Sequence, residues 1–293
     1  MSRKFHHLRG VPVKTVSDTM SVFYDTYVYP IMPQYRTLVT DILHMTHFFR
    51  VDARFNYNPL FGWGFHHTVF TFLRNYPGEG KKEAIYDAMC TALELDGKQM
   101  AEDAQRMKDW LVGKTEEDIL AVFRGEGEKD FVWDIFMEAR EGVGPFGIKP
   151  GGGGNTDIWF LYNRYWGLGV FLMMEAVGLE PNEALIDKWW QPLKQPSIKP
   201  TKDLDVYQET LGKLEQAEQL YREVEIREKK RAADRLEDKA RRAMEEAEMA
   251  EEEAVEEAAI VAEEKALMEQ EKADAEAKRQ ARLEAMREES EAK

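Results

Sequence analysis

Residues 55–73 read FNYNPLFGWGFHHTVFTFL, the longest stretch of the chain without a charged side chain, closed off by Arg54 and Arg74. That is close to the ~20 residues a helix needs to cross a bilayer. The stretch nevertheless carries Asn56, Asn58, Pro59, His66, His67, Thr68 and Thr71, a polar load too heavy for a lipid-facing span. It therefore reads as a helix buried among other helices. Asn58-Pro59 opens it, because proline is preorganised for the first helical position and its missing donor costs nothing there. Pro77-Gly78 ends it.

Working outward, the pattern predicts more helices of the same kind. Tyr35, Leu38, Val39, Ile42, Leu43 and Met45 recur at spacings of three and four after Pro33. Ser17-Asp18-Thr19 offers caps for a first helix beginning near Met20. Helices are expected over Lys82–Leu95 and Gln99–Val112, and Thr115 with Asp118 looks like a capping box for a short one. Asn155–Val177 reads as a helix apolar nearly all round, with Gly167 and Gly169 letting another backbone come close. A short helix follows from Glu180-Pro181-Asn182 to about Trp190, and Pro192, Pro196 and Pro200 make an extended connector. Gly142–Gly154, with seven glycines and two prolines, reads as a flexible loop; it lacks the Lys-Ser or Lys-Thr ending of a phosphate-cradling loop.

The last part of the chain differs in kind. All seven Trp lie between Trp63 and Trp190, and no aromatic follows Tyr221, so no core of its own can form there. From Thr201 to Lys293 the only Gly or Pro is Gly212, while Ala, Glu, Lys, Arg and Met dominate. One helix from Asp203 to about Glu289 would be roughly 130 Å long. Leu211, Leu214, Leu220 and Val224 suit packing on the bundle. Beyond Leu236 the seam is mostly Ala, which favours a lone, ion-pair-laced helix with a frayed end over an obligate dimer. The expected organisation is thus a basic, disordered segment over 1–14, an all-α helical bundle over 15–200 and a long, protruding charged helix over 201–293.

The net charge of −15, of which −8 falls after Tyr221, opposes binding to nucleic acid, whose affinity comes from Lys and Arg. Met1–Lys14 has no apolar core of a secretory signal and is shorter and poorer in Ser than a plastid transit peptide. Cys90 is the sole cysteine, so no internal disulfide forms, and it reads as a small core residue. His44 and His47, or His66 and His67, could be imagined as metal ligands, but no Glu-x-x-His accompanies them. There is no nucleophile motif, and the aromatic run Tyr162, Tyr165, Trp166 and Phe171 reads as core before cofactor cleft. No catalytic residue, metal or cofactor is expected. Composition alone leaves open a helical scaffold or spacer adaptor unrelated to any photosynthetic task.

Five strings narrow this. They are Thr15–Thr19 with Phe23-Tyr24; His47 and Val51 followed by Tyr57–Gly64; Ile85–Leu93; Tyr162–Arg164 with Gly167–Gly169 and Glu175; and Asp203–Tyr207 with Glu228–Arg231. In this order they resemble the thylakoid formation family, also called the photosystem II biogenesis family. The second departs from it at Asn58, where that family usually has Asp. The positions so matched are Ser17, Asp18, Thr19, Tyr24, His47, Tyr57, Pro59, Phe61, Gly64, Arg164, Gly169, Asp203, Asp205 and Tyr207. The resemblance implies a non-enzymatic helical accessory of photosystem II biogenesis and repair, working with the FtsH protease complex or photosystem proteins. It implies a place in the chloroplast stroma or at the stromal face of the thylakoid, or the cytoplasmic thylakoid face in a cyanobacterium. Peripheral membrane contact is compatible with that; a transmembrane segment is not expected.

Overall fold

The computed structural model describes residues 9–143 and 155–291. Among these residues the fold is all-α in class, with ten helices: α1 Val16–Thr26, α2 Pro33–Arg50, α3 Pro59–Phe72, α4 Lys81–Leu93, α5 Gly97–Leu111, α6 Glu116–Arg124, α7 Phe131–Glu141, α8 Arg164–Ala176, α9 Glu183–Leu193 and α10 Ile198–Glu291. One parallel strand pair, β1 Gly142–Val143 and β2 Asn155–Trp159, interrupts them. The expected disorder of 1–14 falls largely on residues 1–8, outside the described residues, as does the Gly-rich loop over 144–154 and the very end of the tail. Lys14 is placed: its Nζ donates to the carbonyl of Ala92 at 2.9 Å and to Glu94 at 3.0 Å.

The stretch at 55–73 becomes α3, and its all-round apolarity has a geometric reason. One face, Leu60 and Trp63, belongs to a core built with α5, α6, α7 and α9. The other, Phe61, Phe65, Val69 and Phe72, belongs to a second core built with α1, α2 and α4. Helix α8 is shared in the same way, with Tyr165 in one core and Trp166 in the other. A helix flanked on both sides has no solvent face left to be polar. Trp166, Trp189 and Trp190 are all at most 1 % exposed, and each buried aromatic removes ~150–250 Å2 from water.

Helix ends follow local chemistry. Asn58, Asp96, Asp130, Asn163 and Asn182 each accept the first free N–H groups of the helix they precede, a contribution of about 1 kcal/mol apiece. Thr115 and Asp118 form the expected capping box. The first helix differs from expectation. Thr15, not Ser17 or Asp18, is its cap; Asp18 reaches back to the Thr15 N–H, so the helix starts at Val16.

Two further expectations are overturned. Asn155–Trp159 is strand rather than helix, because its backbone pairs with β1 and the helix proper begins only where Asn163 caps the N–H of Trp166 at 2.9 Å. The three prolines do not form an extended connector. Pro192 lies in the last turn of α9 and Pro200 in the first turn of α10, where a proline needs no helical acceptor. The long helix therefore starts at Ile198. Helix α7 had no counterpart in the expected pattern.

The chain divides into two units, residues 1–220 and 221–293. In the first, α10 lays Leu204, Tyr207, Leu211 and Leu214 against the cores at spacings of three and four. The next position of that seam is Glu218, only 7 % exposed, which accepts from the Tyr35 hydroxyl at 2.8 Å and from Asn75 Nδ2 at 2.6 Å. Leu220 and Val224, expected to pack, are 60 % and 41 % exposed. In the second unit every described side chain is exposed.

Candidate functional site

A cleft of about 160 Å3 opens between α2, α3, α8 and the start of α10. Its floor is apolar: Ile42 and Met45 from α2, Phe72 from α3, Leu168 and Phe171 from α8. Its charged groups are Asp41, Arg164 and Asp203. The Arg164 guanidinium donates to Asp203 Oδ1 at 3.4 Å, and the Tyr162 hydroxyl donates to Oδ2 of the same carboxylate at 2.9 Å. Burial, reinforced by that carboxylate, holds the Tyr162 phenol well above its usual 10. Asp41 has no hydrogen bond or ion pair, so the cleft carries one uncompensated negative charge. Tyr207 completes the wall. Its ring stacks on Phe72, and its hydroxyl lies 3.1 Å from Nε2 of His67. Thr71 Oγ1 sits 3.2 Å from the same nitrogen. Burial, and then the positive charges of Lys108 and His66, pulls the His67 imidazole down to about 4.

Of the residues singled out from the sequence, Arg164, Asp203 and Tyr207 are brought together here. Thr19 and His47 meet elsewhere, with Thr19 Oγ1 at 2.9 Å from His47 Nδ1, both buried. Gly64 and Gly169 meet where α3 and α8 cross. A Cβ on Gly64 would stand 1.9 Å from the Tyr165 carbonyl oxygen, and one on Gly169 would stand 2.6 Å from that of Leu60. Gly167 instead makes room for the Tyr162 hydroxyl, so only one of the two α8 glycines admits a backbone. Phe61 is fully buried, and its ring packs edge-on to Tyr165. Tyr57 donates to Asp103 at 2.7 Å. Pro59 is the first residue of α3 and Asp18 caps α1. Ser17, Tyr24 and Asp205 are exposed and join no cluster.

The arrangement suits recognition. An apolar recess can accept one side chain of a partner, the neighbouring Asp41 favours a cation beside it, and no nucleophile faces it. His67 and Asp41 were not singled out as members of a site; nothing in their local spacing marks them, since the cleft joins residues up to 172 positions apart.

The thylakoid formation protein family matches residues 15–236. The chain belongs to that family. The thylakoid formation family members most similar to it include the chloroplastic protein THYLAKOID FORMATION 1 of Arabidopsis thaliana, 31 % identical over 226 residues, which are 77 % of this chain and 70 % of that protein. Another is protein Thf1 of Acaryochloris marina, 27 % identical over 237 residues, covering 76 % and 87 %. A solved structure of Psb29 superposes with a TM-score of 0.61 at 26 % identity, covering 75 % of this chain and 99 % of that one. Residues 237–293 lie beyond the family match. Among the described residues no helix of this family member is long and apolar enough to cross a membrane.

Proposed function

We propose that the protein is a non-enzymatic accessory of photosystem II biogenesis and repair that acts beside the FtsH protease complex at the stromal or cytoplasmic face of the thylakoid. Membership of the thylakoid formation family over residues 15–236 carries this reading. The cleft supports it, because it is built to hold a side chain and presents no group placed for bond-making. Under this reading the fourteen matched positions divide by task. Thr19, His47, Tyr57, Phe61, Gly64 and Gly169 hold the bundle, while Arg164, Asp203 and Tyr207 shape the docking recess.

The test uses Val206→Trp, at a cleft position that is 41 % exposed and so tolerates a larger side chain. In a photosynthetic host lacking its own relative, the unaltered chain is expected to restore protease-complex abundance and photosystem II recovery after strong light. Val206→Trp is expected to fold and fail. Recovery that is normal without any relative, or equal with Val206→Trp, overturns the reading or its docking site respectively. A second variant, lacking residues from Arg235 onward, tests whether the charged helix takes part.

A further inference from the structure

We infer that two copies of the chain pair through antiparallel association of their α10 helices, centred between Arg241 and Arg242. The observation behind it is a seven-residue repeat in the second unit. Ala233, Leu236, Ala240, Ala243, Ala247, Ala250 and Ala254 alternate at spacings of three and four, on a helix whose every described side chain is exposed there. Leu236 is 69 % exposed and the adjoining Met244 70 %. A seam of this period faces a second helix. Alanine buries little area, so the charges beside it decide which helix and in which direction.

Those flanking positions are Lys230, Glu237, Met244 and Glu251 on one side, and Ala232, Lys239, Glu246 and Glu253 on the other. Lys230, Lys239, Glu246 and Glu251 form no ion pair within the chain, although neighbours such as Lys229 and Arg241 do. In a parallel, in-register pair, Glu246 faces the partner's Glu251, twice by symmetry. In an antiparallel pair centred on Glu245, Glu237 faces the partner's Glu251 and Glu246 faces its own copy. Centred between Arg241 and Arg242, Lys230 faces the partner's Glu251 and Lys239 faces the partner's Glu246. Both contacts occur twice, and no like charges meet. In that register the seam layers are Ala233 with the partner's Ala250, Leu236 with the partner's Ala247, and Ala240 with the partner's Ala243. Every layer is apolar, and the one large side chain sits opposite a small one.

The same choice appears at coarser scale. Residues 222–242 hold nine basic and six acidic side chains, whereas 245–257 hold eight acidic and none basic. Antiparallel pairing lays the basic block on the acidic one; parallel pairing stacks acid on acid. The occupant with the complementary pattern is a second copy of this chain, in an isologous two-fold contact. The surface lies mostly past residue 236, where the family match ends, so it is a property of this chain rather than of the bundle.

Sedimentation equilibrium of the full chain tests it. With an alanine seam the expected dissociation constant is on the order of 100 µM. Dimer should be present at about 0.01 M salt, where the Debye length is about 30 Å, and lost at about 1 M, where it is about 3 Å. Lys230→Glu with Lys239→Glu should be monomeric, and so should Glu246→Lys with Glu251→Lys. An equimolar mixture of the two should form a heterodimer, and one chain with all four changes should self-associate again. A monomeric parent chain at low salt, dimers that survive either charge reversal, or failure of the mixture to pair would each overturn the inference.

Discussion

Gly64 and the Tyr165 carbonyl oxygen stand so close that a Cβ on the glycine would lie 1.9 Å from that oxygen, and Gly169 meets the Leu60 carbonyl in return. Helices α3 and α8 thus touch backbone to backbone at the point where the two cores join. A side chain there cannot be accommodated by a rotamer change, because the obstacle is main chain.

Gly64→Ala is therefore expected to destabilise the first unit by about 3 kcal/mol or more, the upper range for overpacking. Gly212→Ala is the control. Nothing lies within 4 Å of a Cβ there and the residue is in mid-helix, so it should be neutral or stabilise by about 0.5–1 kcal/mol. Urea titration of both variants compares them directly, and equal midpoints would contradict the close crossing.

Tyr35 and Asn75 are the hydrogen-bond donors to a carboxylate, that of Glu218, which is 7 % exposed. Tyr35→Phe should cost about 1–3 kcal/mol, since it leaves a buried charged acceptor short of a donor. Combined with Glu218→Leu the two losses should be markedly less than additive. Additive losses in a double-mutant cycle would show that the pair does not act as a unit.

Stability should fall on the acid side because of His67. Its imidazole is held down to about 4 against an ordinary 6.5. Above pH 6.5 it is neutral in both the folded and unfolded chain and adds no pH dependence. Below 6.5 the unfolded chain takes up the proton and the folded one does not, so stability declines until about pH 4. Across that window the loss from this group is up to ~3 kcal/mol. His67→Gln should flatten the profile between those two pH values in chemical-denaturation series, and an unchanged slope would rule the group out.

Cys90 is 4 % exposed, and burial pushes its thiol up to about 12. At pH 8 the native chain should resist iodoacetamide, while the chain in denaturant should be alkylated at the ordinary thiol rate. Fast labelling of the native protein, followed by mass spectrometry, would show that the thiol is open.

Much of the first unit was legible because its signals are local. Asn58-Pro59, Thr115 with Asp118, and the 3.6-residue recurrence from Tyr35 to Met45 each act within one or two turns, and they became the start of α3, the start of α6 and the buried face of α2. Where expectation failed, a non-local partner had intervened. Asn155–Trp159 is extended because β1 pairs with it, and α1 starts early because Asp18 turns back to Thr15. The cleft was harder still: Asp41, Arg164 and Asp203 have no spacing that announces them, and only the packing of four helices brings them together.

Local rules of the chain alone were enough for helix as the secondary structure, a buried α3, a final segment without a core and a family assignment, since each depends on residue type and short-range period. Which glycine admits a backbone, which carboxylate is buried and which charges line one recess were settled by tertiary packing. Those outcomes depend on distances between residues far apart in sequence, and a hydrogen bond or a steric clash is determined by such distances within a few tenths of an ångström.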